Sequence, residues 1–82
     1  MTIVRPQSKL PRNKDTKYIE ITTPDDLDIV KEWLDYYCQR INWAEREGHI
    51  KTVSTYHLYS LTLVEAIREY RARNRNLYLD LS

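Results

Sequence analysis

Few side chains in this 82-residue chain are of the types that do covalent or metal chemistry. The imidazoles are His49 and His57, and the single thiol is Cys38. A Cys–His nucleophile pair needs its two groups in contact and a third group to orient the base, and no third group stands at a telling spacing. Two histidines and one cysteine fall short of a metal-ligand set. Gly48 is the only glycine, which leaves no Gly-rich loop to cradle a phosphate. Asp25, Asp26, Asp28, Glu32 and Asp35 lie close together, but at the spacing of a helix N-terminus followed by a solvated face. No constellation meets the requirements of an active site. The sequence therefore predicts a non-enzymatic protein with no catalytic residue, no metal and no cofactor.

Two other groups of residues have the types and spacing for binding. Ile29, Trp33, Tyr36, Arg40 and Trp43 recur at intervals of four and three, which puts them in one row on a helix. Trp, Tyr and Arg are the residues that anchor protein interfaces. The second group is cationic. Arg5, Lys9, Arg12 and Lys14 precede the first helical pattern, and Arg68, Arg71 and Arg75 follow one side of the second. Basic arms and helices of this kind neutralise phosphates. Cations are also expected at a helix C-terminus as complements of its dipole, and Arg73 falls off their row.

These groups are positioned by a simple order of elements. Residues 1–17 hold Pro6 and Pro11 and show no periodicity, so they read as an extended basic arm with a charge of +4. Tyr18 to Thr22 alternates, with Ile19 and Ile21 on one side, which is a short strand signal. Thr23 is a good N-cap, Pro24 suits the first turn, and Asp26 completes a Thr-x-x-Asp arrangement close to a capping box. Gly48 stands where a left-handed C-cap is wanted. The first helix is therefore predicted over 24–47. Beside the row named above it carries a packing seam of Leu27, Val30, Leu34, Tyr37, Ile41 and Ala44, with Cys38 at its margin as a small apolar side chain.

The second helix is predicted over about 52–75, through a seam of Val53, Tyr56, Ser60, Leu63, Ile67 and Tyr70. Its opening, residues 52–60, is rich in β-branched and aromatic residues and is open to a strand reading. Leu58 and Leu61 fall off the seam and mark a second face. Leu77, Leu79 and Leu81 alternate at the end and predict a C-terminal strand. The fold class is thus mainly α, an antiparallel helical hairpin with short N- and C-terminal strands, or alternatively a small α+β fold. Residues 1–17 form the arm, and residues 18–82 form one small domain.

Composition sets the outer bounds. Leu, Ile and Val make up about a quarter of the chain, there is no Phe, and aromatic area is carried by seven Tyr and two Trp. One cysteine excludes an internal disulfide, and no run is long and apolar enough for a membrane span. The first ten residues lack the apolar core of a signal peptide. A cytoplasmic protein is expected, or one assembled into a particle made there. The net charge of +1 hides an uneven spread, with an acidic segment of −5 over 18–47 between two basic ends. The leading functional expectation is a protein-binding module (adaptor, assembly subunit, inhibitor or homo-oligomer) that uses the aromatic row of the first helix. The rival is nucleic-acid binding through the arm and the arginines of the second helix.

Overall fold

The computed structural model describes the backbone of residues 3–80 and the side chains of residues 3–74. Two helices, α1 (Pro24–Glu47) and α2 (Ile50–Asp80), pack against each other as a hairpin. The expected helical hairpin is the fold. The start of α1 is fixed by a full capping box. The Asp26 amide donates to Thr23 Oγ1 at 3.1 Å, and the Asp26 carboxylate accepts from the Thr23 amide at 3.3 Å. That carboxylate also accepts from the hydroxyl and amide of Thr22. Led by the Thr22 hydroxyl, these donors hold the Asp26 carboxyl below its ordinary value, because they favour its charged form.

The turn between the helices is two residues long. Gly48 closes α1 at φ 77°, and the amide of His49 donates back to the Ala44 carbonyl at 2.9 Å. A Cβ at Gly48 would meet nothing within 4 Å. Backbone conformation alone therefore selects glycine there. Residues 52–60, open to a strand reading in the sequence, are helical. The Ser60 hydroxyl, buried on the seam, is satisfied by donating to the His57 carbonyl at 2.7 Å.

The core is one cluster. Val30, Trp33 and Tyr36 of α1 meet Leu63, Ala66 and Ile67 of α2, and Ile21 of the preceding segment closes the cluster. Ile21, Val30 and Leu63 are fully buried. The seam of α2 is as the spacing predicts. On α1 burial is shared between the predicted seam and the aromatic row, since Val30 and Ala44 of the seam and Trp33 and Tyr36 of the row are buried while Leu27, Leu34, Tyr37 and Ile41 are half-buried. Cys38, expected at the core margin, is exposed. It follows Tyr37 by about 100° around the helix, far enough to leave the interhelical contact.

The strands predicted at both ends are the main difference. The N-terminal one shrinks to a single antiparallel bridge between Arg12 and Ile19. Around it the arm doubles back through a tight loop. Asn13 Oδ1 accepts from the amides of Asp15 and Thr16, and Lys17 adopts a left-handed φ of 66°. The C-terminal strand does not form as far as it is described, because α2 continues through Leu77 and Leu79 to Asp80, while Leu81 lies outside the described residues. No glycine or proline interrupts residues 71–80. A strand also needs a paired neighbour. The segment that would have paired is instead held by Arg73, which donates to the Ile21 carbonyl at 2.8 Å and to Glu20 at 3.3 Å.

Candidate binding groove between the arm and the hairpin

The arm crosses the aromatic row of α1. Trp33 presents its indole N–H towards the chain that precedes the helix, and it donates to the Ser8 carbonyl at 2.8 Å. The Arg5 guanidinium lies over the same ring, 5.3 Å from its centroid. Ile3, Leu10 and Ile19 pack beside the core. Pro6 and Pro11 restrict φ on either side of this crossing, and the chain bends between them at Gln7 and Ser8. The arm thus supplies part of the cover that the width of α1's apolar face requires.

Covering is incomplete, and a shallow groove runs along the line of closure. One recess, of about 330 Å³, is lined by Arg5, Lys9, Leu10, Arg12, Trp33 and Tyr37. A second, of about 440 Å³, shares Leu10, Arg12 and Tyr37 and adds Ile19, Tyr59, Thr62 and Leu63. Tyr37 stands at the junction. Its ring contacts those of Trp33, Tyr36, Tyr56 and Tyr59, at centroid distances of 5.5 to 5.8 Å. Burial, and then the neighbouring tyrosines 36 and 59, push its phenol above the ordinary value, so it is neutral at physiological pH. Among the described residues, no carboxylate lines the two recesses. Asp28, Glu32 and Asp35 are exposed on the opposite side of α1, since Asp35 and Tyr37 are about 160° apart on the helix.

Beyond Tyr36 the row continues as a cationic–aromatic stack. The Arg40 guanidinium lies 5.7 Å from the Tyr36 ring, 5.6 Å from Trp43 and 6.0 Å from Tyr56. Its Nε donates to the Tyr36 hydroxyl at 3.3 Å, and that bond leads the effects that raise its already high pKa. Trp43 stacks on His49 at 5.3 Å, which gives this histidine a packing partner at the hairpin turn.

The residues singled out in the sequence are therefore distributed as follows. Trp33 and Tyr36 are buried, the first beneath the arm, while Ile29, Arg40 and Trp43 are half-buried beside them. Arg5, Lys9 and Arg12 gather at one end of the groove, and Lys14 is exposed in the loop. Arg68 and Arg71 are exposed on α2, turned about 140° and 160° around the helix from Arg73, which faces the arm. Neither Arg68 nor Arg71 lines the recess that holds the cations of the arm. The Arg75 side chain lies outside the described residues. His57 is exposed, as is Cys38.

The structure thus joins two groups that spacing kept apart, the aromatic row of α1 and the cations of the arm. Tyr37 and Tyr59, the groove's central rings, were readable only as a seam position and a flanking position. A contact made across twenty to thirty residues of chain leaves no periodic trace. Among the described residues, no helix is long and apolar enough to cross a membrane. No family model, no curated protein and no solved structure matches the chain.

Proposed function

We propose that the chain is a small non-enzymatic protein-binding module that takes an acidic segment of a partner protein into the groove between arm and hairpin. The observation that carries this reading is the lining, with Arg5, Lys9 and Arg12 beside Trp33, Tyr37 and Tyr59 and no carboxylate among them. Aromatic rings supply contact area at a low cost in side-chain entropy, and guanidinium groups pair with carboxylates in two parallel hydrogen bonds. Such a module works by occupying a surface, as an adaptor, an assembly subunit or an inhibitor does.

Single-stranded nucleic acid is the second reading. Tyr59, half-exposed in a recess it shares with Arg12, favours it, since bases stack on such rings while cations follow the backbone. The charge balance favours the protein partner. Phosphate binding draws its affinity from many released counterions, and this chain has a net charge of +1 and a pI of about 7.9.

The test is capture from a native lysate by the wild-type chain and by a Lys9→Glu/Tyr59→Ala variant, each with and without nuclease. A stoichiometric protein that resists nuclease and is lost with the variant is the expected result. Capture that disappears with nuclease assigns the groove to nucleic acid. Capture unchanged by the variant removes the groove from the account.

A further inference from the structure

The two helices differ on their outer sides. The outer face of α1 is polar, with Asp28, Lys31, Glu32, Asp35, Gln39 and Asn42 exposed. On α2, Ile50, Leu58 and Leu61 remain 80%, 64% and 47% exposed. At 100° per residue these three fall within about 80° of arc, on the side away from the buried Leu63 and Ile67. Single apolar residues on a surface are ordinary, but three large aliphatic side chains aligned on one stripe are an unfilled contact.

Charge identifies what fills it. Lys51 and Glu69 are eighteen residues apart, which is five whole helical turns, so they stand on the same flank of the stripe, Lys51 beside Ile50 and Glu69 about two turns beyond Leu61. Both are exposed, and neither makes an ion pair among the described residues. Their midpoint is residue 60, beside Leu58 and Leu61. We infer that the outer face of α2 is a self-complementary surface on which a second copy of the chain packs antiparallel. In that register a two-fold axis passes between the two copies at the level of residue 60. Leu58 and Leu61 of the two copies meet at the centre, and Lys51 of each copy meets Glu69 of the other. Antiparallel packing about such an axis brings like flanks of the two helices together, so both ion pairs form at once. The contact is isologous and closes as a dimer rather than a filament. Oligomerisation is a common way for a small scaffold to complete its core. Ile50, Leu58 and Leu61 line neither recess of the arm groove, although Lys51 shares a neighbouring recess with Tyr59.

Sedimentation equilibrium over a wide concentration range tests the inference, with helix content followed by circular dichroism. The wild type is expected to pass from monomer to dimer. Leu58→Asp is expected to abolish the dimer and leave helix content unchanged. Lys51→Glu and Glu69→Lys each place like charges together twice per dimer, and each is expected to weaken association about tenfold. The double reversal, Lys51→Glu with Glu69→Lys, is expected to restore it. A wild type that stays monomeric at every concentration overturns the proposal. So does a dimer that Leu58→Asp leaves intact, or a double variant no tighter than the single ones.

Discussion

The two helices of the hairpin spend their apolar residues differently. In α1 the apolar arc is wide but continuous, and the chain covers much of it by itself, with α2 on one side and the arm on the other. In α2 the apolar residues are split between a buried seam and an exposed stripe, and the described chain covers only the seam. An apolar residue off the seam is thus ambiguous in sequence. On α1 such residues, Trp33 and Tyr36, became core because they pack into the cluster with α2, and the arm crosses Trp33 as well. On α2 such residues, Leu58 and Leu61, stayed exposed because no described segment reaches them.

The sharpest way to test this contrast is to truncate one leucine of each kind on the same helix. Leu63→Ala, at a fully buried position, is expected to cost about 2–5 kcal/mol of unfolding free energy. Leu58→Ala, five residues earlier, is expected to change it by less than about 0.5 kcal/mol when measured where the chain is monomeric. Denaturant unfolding of both variants checks the pair. Equal losses would mean that the stripe is covered within one chain.

Arg73 offers a smaller effect on the arm side. Its guanidinium ties the Ile21 carbonyl to α2 and also meets Glu20, but the side chain is half exposed, so solvent screens much of the interaction. Arg73→Ala is expected to cost about 1.5 kcal/mol and to speed amide exchange in residues 11–21 more than in α1. Uniform acceleration would show that the arm and the hairpin open together.

How much of this was legible follows from the range of each signal. The caps of α1 were readable because every partner lies within four residues, from Thr23 to Asp26 and from Ala44 to Gly48. The seam of α2 was readable because helical spacing is local. The C-terminal strand was misread because the alternation of Leu77, Leu79 and Leu81 is short, and its expected pairing partner is engaged by Arg73 instead. The groove was beyond sequence reading for the same reason at greater range. Arg5, Lys9 and Arg12 come beside Trp33 and Tyr37, and Arg12 beside Tyr59, only once the arm has folded back, and nothing in their spacing announces that fold. The arginines near the C-terminus also divide by geometry, with Arg73 facing the arm while Arg68 and Arg71 face solvent.

A smaller loss than that at Arg73 is expected at the start of α1. Thr23→Ala removes one side of the capping box and is expected to cost about 1 kcal/mol. The Asp26 carboxyl is held below its ordinary value of 3.8, so the folded state binds this proton less readily than the unfolded chain does. Its contribution is complete above that ordinary value and is lost as pH falls through the lower folded one. Asp26→Asn is therefore expected to flatten the acid limb of a stability–pH curve and leave the shape near neutrality unchanged. An unaltered acid limb would assign acid sensitivity to other carboxylates.

The groove and the covering of α1 both depend on the arm lying across Trp33. Hydrogen exchange at the Trp33 indole N–H, read by nuclear magnetic resonance, tests that contact directly, since this proton is bonded to the Ser8 carbonyl. Exchange many-fold slower than that of a free indole is the predicted result, with protection reduced in Arg73→Ala. Exchange at the free-indole rate in the wild type would mean that the arm does not cover α1, and the groove would not exist.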